Sequence, residues 1–414
     1  MGRGFQIDKT PGDPGFLCLE VEMVASIRVA VDVGSRFHSV AVGDPTGQLL
    51  DEFTIDHRRD GFERFFARID GYQARDVRVA MEGYGGWARP LDQQVLARGW
   101  RLFNVNNLKL ARYKEIFPAP AKTDAIDARR MLELFAFDGQ RPLVRNVLAE
   151  INPVSQAQRQ LKYLTRRRRH LVADRGLRLT RLRVDLQAVC PDLLGLTRAV
   201  DNRWFLRWLT CRDCLTALPR LQEKTILAIP SIGAKKAPRI RAWQKQATFG
   251  PDIDLYDRDI VADAQAILDL DTQLTDLNQR IDAVAADCSI TQRLRSIPGF
   301  GVTGTAELAG EIGDLARFNH EASLALYLGM APLDQASGLT RRGRPPKCVN
   351  SRCQNAMMTC VVRHMRCVPE SRAYYDRKRA QGKRHNQAVR ALGRHLTRVI
   401  WRMLTQERDY ELKT

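Results

Sequence analysis

Four carboxylates stand where their spacing and surroundings could bring them together. Asp124 and Asp127 lie three residues apart in AKTDAIDARRMLELF (121–135), a run that reads as a helix. On a helix that spacing puts both side chains on one face, aimed at the same place. Two like charges held side by side are costly unless a cation or another positive partner lies between them. Far upstream, Asp32 sits in the apolar run IRVAVDV (27–33), and Glu82 closes a second such run, VRVAME (77–82). Two strand-borne carboxylates and a helix-borne pair make an oxygen-ligand set suited to two Mg²⁺ ions. Taken singly, each acid reads as readily as a turn residue or a strand cap. The four in this order point to a metal-assisted site.

The elements that must hold them are legible on either side. From Ser26 to about Asp127 the pattern is α/β, with strands at 27–33, 37–42 and 48–55 separated by the turn residues Gly34, Ser35 and Asp44–Gly47. These three read as an antiparallel meander. A helix around 61–69, a strand at 77–82, a helix around 88–98 and a strand at 101–105 follow. Three hairpin strands and then alternating helices and strands is the order of an RNase H-like sheet. In that order Asp32 lies on the central first strand and Glu82 at the end of the fourth, where a ligand crevice is expected.

From 155 to 189 the chain turns helical and very basic, with Arg166–Arg169 in a row. Its partner is 260–284, where Ile260, Ile267, Leu274 and Ile281 recur every seven residues with Leu270, Leu277 and Val284 between them. That is an a/d seam. We read 155–290 as a long antiparallel coiled-coil hairpin, basic on one leg and acidic on the other. A small tip at 191–255 carries Trp204, Trp208 and Trp243. Beyond it, IPGFGVTGTAEL (297–308) matches a helix–hairpin–helix element, and IPSIGAKKAPRI (229–240) is a shorter echo. Gly299 and Gly301 would let the backbone approach a phosphate, which the free N–H groups of the following helix would receive. The alternative is a tight helix corner without a ligand. Further on, a loop carries Ser337 and Gly338 into Arg341, Arg342, Arg344 and Lys347.

The chain has 414 residues, 66 Lys and Arg against 47 Asp and Glu, a net charge of +19 and a pI near 9.9. A charge of that size argues for a polyanionic partner, of which nucleic acid is the commonest. Residues 338–414 alone hold 19 Lys and Arg against five Asp and Glu, with Tyr374, Tyr375 and Trp401 among them. Such a surface suits nucleic-acid backbone and unstacked bases. The nine cysteines form no zinc spacing beyond the isolated Cys211 and Cys214 pair, and reduced thiols in a cytoplasm are expected. No run approaches about 18 apolar residues, so no membrane span is expected. Residues 1–25 read as a disordered extension ahead of the first strand.

At these residues the sequence resembles the DEDD-type transposases of the insertion-sequence-110 family, relatives of the Piv DNA invertase. The matching elements are D-x-G (Asp32, Gly34), M-E-G (Met81–Gly83), K-T-D-x-x-D-A (Lys122–Ala128), S-I-P-G-x-G (Ser296–Gly301) and L-G-M-A-P…S-G followed by basic residues (Leu328–Gly338). They run in the family's order from about Ile27 to Met365. The resemblance implies an α/β plus α protein in three parts. These are a RuvC-like (RNase H-like) domain at 26–145, the helical hairpin with its tip at 146–290, and a helical transposase domain at 291–414 holding the helix–hairpin–helix, the serine loop and the basic helices. It implies a composite active site in which Asp32, Glu82, Asp124 and Asp127 hold the metal and Ser337 is the nucleophile. Lys122, Arg341, Arg342, Arg344 and Lys347 are then phosphate contacts. It also implies a structured RNA, encoded by the element, that pairs with target and donor DNA. The middle of this chain is longer and richer in tryptophan than in compact members.

The expected reaction is cutting and rejoining of double-stranded DNA through a covalent 5′-phosphoserine link. The expected state is a homodimer that assembles further on DNA, in the cytoplasm at the bacterial nucleoid. Two other readings belong to different classes. One is a Holliday-junction-type nuclease that uses metal-activated water. The other is a nucleic-acid-binding protein with no chemistry, whose binding would survive loss of all four carboxylates.

Overall fold

The computed structural model describes residues 26–83, 89–116, 124–137, 147–331, 333–337, 340–344 and 349–411. The expected extension at 1–25, and with it Lys122, Gly338 and Lys347, lies outside them. The chain divides into two compact units, Met1–Pro153 and Val154–Thr414.

In the first unit, β1 (Ser26–Val33), β2 (Phe37–Gly43) and β3 (Leu49–Asp56) form the expected antiparallel meander. Helix α1 (Arg59–Asp70) leads to β4 (Asp76–Glu82), and α2 (Arg89–Ala97) leads to β5 (Arg101–Val105). Then come α3 (Asn107–Ile116), α4 (Asp124–Phe137) and β6 (Leu148–Glu150). The sheet runs β3-β2-β1-β4-β5-β6, with β1, β4 and β5 parallel and the other pairings antiparallel. This mixed sheet is compatible with the RuvC-like domain expected from the sequence. The sheet extends past residue 145 to β6, which pairs antiparallel with β5. A strand of three residues is too short to show a two-residue period in the sequence.

Alternation along the strands sorts their side chains to two faces. Ile27, Val29 and Val31 of β1 pack with Phe62, Phe65 and Phe66 of α1 and with Leu91 and Val95 of α2. Ala30, Ala41 and Ala80 face the other way, toward Ala128, Met131, Leu132 and Phe135 of α4. Three alanines on that face let α4 lie close to the sheet. Asp32 and Glu82 continue the alternation of Ala30 and Ala80, so the pleat assigns them to the face that carries α4.

The second unit is mostly helical. Helix α5 (Gln156–Val189) is long, and the short helices α6 (Pro191–Leu196), α7 (Arg203–Leu209), α8 (Glu223–Leu227) and α9 (Gly233–Gln246) follow it. A second long helix, α10 (Ile253–Ala286), then lies antiparallel to α5. Arg168 donates to Asn278, Arg175 to Asp271, and Arg178 and Arg181 to Asp263, so rising numbers on one helix meet falling numbers on the other. Leu161, Leu164 and Leu171 pack against Leu270, Leu277 and Ile281 between them. At their far end, Trp204, Phe205, Trp208 and Trp243 fill a core with Leu182, Leu186 and Ile260.

The remaining elements are α11 (Ser289–Arg295), α12 (Val302–Ile312), α13 (Glu321–Tyr327), β7 (Leu333–Ser337), β8 (Thr340–Arg344), α14 (Ser351–Cys367), α15 (Pro369–Ala380) and α16 (His385–Thr405). Their helices share one core that includes Leu294, Phe300, Leu308, Met357, Val361, Leu396 and Ile400. Helix α12 also crosses α5 at close range. A Cβ on Gly310 would come 2.6 Å from the Lys162 backbone nitrogen. Beside that crossing Arg166 clasps Glu311 through Nε and Nη2, one bond to each carboxylate oxygen, and Arg169 pairs with Glu307. Glu311 is almost wholly buried, and its guanidinium partner is what makes that tolerable.

Two outcomes follow from this packing. Alanine normally stabilises an exposed helix by about 1 kcal/mol over glycine. Gly310→Ala is expected to do the reverse, lowering stability by roughly 1–3 kcal/mol in denaturant melts, because the helices cannot separate without losing the ion pairs. In the first unit, buried His38 meets His57 at 2.8 Å and stacks on Phe62. Burial first, and the neighbouring imidazole second, push the His38 pKa from 6.5 down to about 4. The unfolded chain therefore takes up that proton first. The stabilisation present above pH 6.5 is expected to drain away as pH falls toward 4. His38→Gln should flatten the dependence of melting temperature on pH across that window, and an unchanged slope would contradict the assignment.

Candidate active site

Strand register and helix start bring the acidic residues to one face of the sheet. Val31 of β1 lies opposite Met81 of the parallel strand β4, so the next residue of each, Asp32 and Glu82, emerge side by side at the strand ends. Asp124 and Asp127 occupy the first turn of α4, which covers the same sheet face. The free N–H groups of a helix start favour carboxylates there. Asp127 is buried, Asp32 and Glu82 are partly so, and Asp124 is exposed.

The electrostatics tie the four together. Burial pushes the Asp32 carboxyl from 3.8 up to about 6, and the charges of Asp127, Glu82 and Asp124 push the same way. Against them stands the ammonium of Lys114, which pulls it down. Lys114 belongs to α3, and its Nζ lies 2.7 Å from Asp127 Oδ2. The sequence drew attention to Lys122, in the KTD run, as the basic neighbour of the acidic pair. Lys114 gave no signal, because a lysine in the mixed helix NLKLARYKEI looks like an ordinary solvated residue.

The donor set suits a hard divalent cation: four carboxylates and no thiolate or imidazole. An ammonium, that of Lys114, already pairs with one of them. Among the described residues, no three His, Cys, Asp or Glu side chains are gathered closely enough to hold an ion as they stand.

In the second unit, Ser337 ends β7 and pairs in register with Thr340 of β8. The sequence suggested a loop here, and the structure corrects it to a two-stranded hairpin. Its strands, LDQAS and TRRGR, carry too few apolar residues to show alternation. Arg341, Arg342 and Arg344 lie opposite Ala336, Gln335 and Leu333. Both flanks of this hairpin are fastened. The Asn350 side chain caps α14 by accepting from the N–H groups of Arg352 and Cys353. Its amide donates to Glu311 Oε2 at 2.8 Å and to the Tyr327 hydroxyl at 2.7 Å, and its backbone N–H donates to the Tyr327 carbonyl. Tyr327 closes α13 and Asn350 precedes α14, so one buried polar cluster around Glu311 holds the chain on both sides of the hairpin.

Gly299 has a packing reason of its own. Its φ is +83°, and a Cβ there would lie 2.6 Å from the backbone nitrogen of His364 on α14. His364 secures the contact: its Nδ1 donates to the Pro298 carbonyl and its Nε2 accepts from Ser371. Gly301 directly precedes α12, near the Arg363 guanidinium. On α15 and α16, Arg377 and Lys378 lie against the Tyr374 ring, at 5.1 and 5.4 Å from its centre, and His395 bonds to its hydroxyl.

Asp127→Asn would remove a like charge from beside Asp32 and free Lys114 toward it. The Asp32 pKa is expected to fall from about 6 toward the ordinary carboxylate range, read by carboxyl NMR titration of metal-free protein. No change would mean that the two acids do not share one electrostatic neighbourhood.

The chain as a whole is similar to known proteins. Two transposase profiles match: the DEDD type of IS110 over residues 29–191, and one described as the IS116/IS110/IS902 family over residues 291–376, together more than half the chain. An uncharacterized 42 kDa protein of insertion element IS900 from Mycobacterium paratuberculosis is 28% identical, over 95% of this chain and 99% of its own length. An uncharacterized 43.6 kDa protein of insertion element IS110 from Streptomyces coelicolor is 28% identical over 76% of this chain and 78% of its own. The transposase for insertion sequence element IS1111A from Coxiella burnetii is 23% identical, over 35% of this chain and 41% of its own.

Proposed function

This chain belongs to the IS110 family of DEDD transposases, and from that premise we propose that it cuts and rejoins DNA through a 5′-phosphoserine link at Ser337. Asp32, Glu82, Asp124 and Asp127 bind divalent cations, most simply two Mg²⁺ ions. The observation that carries the metal reading is geometric: parallel register sets Asp32 beside Glu82 at the strand ends, the first turn of α4 holds Asp124 and Asp127 over the same sheet face, and the Lys114 ammonium lies 2.7 Å from Asp127. Bound at such a set, Mg²⁺ stabilises the charge that develops on phosphorus and on the attacking oxygen.

The residues of the chain supply the rest. A serine hydroxyl is essentially undissociated at neutral pH and needs activation before it attacks. Attack of Ser337 Oγ on phosphorus forms the new O–P bond, breaks the bond to the 3′ oxygen, and leaves a 3′-hydroxyl on the departing strand. Attack by a 3′-hydroxyl from a second strand reverses the step and restores the serine. Because the link conserves the phosphoester, no external energy source is required for rejoining. Arg341, Arg342, Arg344, Lys122 and Lys347 hold neighbouring phosphates. The N–H groups that follow Gly301 add a backbone contact of the same kind.

The remaining parts of the proposal concern partners. The +19 charge and the basic C-terminal helices support a second polyanion besides DNA. We read it as a structured RNA of the same mobile element, pairing with target and donor. Exchange of two strands needs more than one serine, which supports a homodimer that assembles further on DNA. In this reading α5 and α10 form the coiled-coil hairpin, and residues 297–308 a helix–hairpin–helix.

Ser337→Ala is expected to abolish both cleavage and joining of cognate DNA. Asp32→Asn, Glu82→Gln, Asp124→Asn and Asp127→Asn should each cut the rate by roughly a hundredfold or more. Nucleic-acid binding should stay within a few-fold of wild type in all five. A Ser337→Ala protein that still cuts would replace the serine with water as nucleophile.

A further inference from the structure

Lys114 stands beside the carboxylates but has no part in the cutting and rejoining steps proposed above. We propose that Lys114 is the resident counter-ion of the carboxylate cluster: its ammonium occupies, at Asp127, a place that a divalent cation takes, and the two exchange. The inference rests on the reading of the four carboxylates as cation ligands.

Geometry carries it. The Lys114 Nζ lies 2.7 Å from Asp127 Oδ2, with the lysine side chain 21% exposed and the aspartate 9%. Water therefore screens this pair far less than a surface pair. The same ammonium is the positive neighbour of Asp32, across the site from α3 on the β1 strand end. A lysine that merely fastened α3 to α4 would need one carboxylate. This one pairs with helix-borne Asp127 and also acts favourably on strand-borne Asp32.

The charge balance explains why exchange follows. Four carboxylates without a cation leave a strongly negative, half-buried cluster, and one ammonium relieves part of it. A divalent ion that takes Asp127 Oδ2 brings twice the charge to the same oxygen, and the ammonium cannot share that position at hydrogen-bond distance. Lysine is suited to leave, since its charge is compact and rides on a flexible four-carbon stem. Arginine, with a rigid fork, is not. Once released, the ammonium has three N–H donors to offer a phosphodiester that approaches the carboxylates.

The test is Mn²⁺ binding by calorimetry on the full-length, metal-stripped protein, comparing wild type with Lys114→Met, Lys114→Arg and Asp127→Asn. Exchange predicts that Lys114→Met binds Mn²⁺ roughly tenfold tighter or more, since a competing charge about one ion-pair distance away is gone. Lys114→Arg should bind no tighter than wild type, and Asp127→Asn more weakly. Metal-free Lys114→Met should also melt lower than wild type, with Mn²⁺ restoring it. If that variant folds only with Mn²⁺ present, the rescue itself supports exchange, and failure of Mn²⁺ to rescue it overturns the proposal. Wild-type binding with equal or weaker affinity in Lys114→Met would overturn exchange and leave the metal reading intact. No Mn²⁺ binding by wild type would overturn both.

Discussion

Repulsion among carboxylates in a partly buried place sets the terms for the first unit. Burial first, and the charges of Asp127, Glu82 and Asp124 after it, push the Asp32 carboxyl up to about 6. A chain left to itself would spread them apart. Here they are held by features with no freedom to relax. Parallel pairing of β1 with β4 fixes Asp32 beside Glu82, and the alanine face of the sheet seats the start of α4 near both. Hydrophobic burial on both sides of the sheet supplies the free energy that offsets this repulsion. The arrangement stores an affinity for positive charge, and Lys114 answers it in part.

The second unit solves a different problem with the opposite sign. Its excess is of arginine, and it buries some of that charge by pairing it. Arg166 with Glu311 and Arg169 with Glu307 lock α5 to α12, while Arg178 and Arg181 share Asp263 of α10. Glu311 then serves a second purpose, through Asn350 and Tyr327, in fixing the chain on both sides of the hairpin that ends β7 at Ser337. Burial alone would lift the Glu311 pKa, but hydrogen bonds from Arg166 and Asn350 and the guanidinium charge of Arg166 hold it below the usual carboxylate range. On α15 and α16, Arg372 pairs with Asp376, Arg394 and Arg398 with Glu321, and Arg377 lies against the Tyr374 ring.

Much of this was legible in the sequence because the governing patterns are periodic. The alternation of IRVAVDV and VRVAME gave the strands and the positions of Asp32 and Glu82. The three-residue spacing of Asp124 and Asp127 gave their shared helical turn. The seven-residue repeat gave α10 and a partner for it. What escaped lacked a period. Strand β6 is three residues long, the β7–β8 hairpin is mostly polar, and α3 has no clean apolar stripe. Lys114 escaped for the same reason, since its meaning comes from a tertiary neighbour and not from its own surroundings in the chain. Gly299 was legible as a special glycine, but its backbone contact with α14 depends on a residue 65 positions away.

The most direct test of the account is to find the covalent intermediate. Purified protein with its co-expressed RNA, cognate DNA and Mg²⁺ would be quenched during reaction, digested, and mapped by mass spectrometry, with Asp124→Ala as the control. The account predicts a nucleotide attached to the peptide that contains Ser337, absent in the control. Cleaved DNA with no adduct on that peptide would contradict it and place the attack on water.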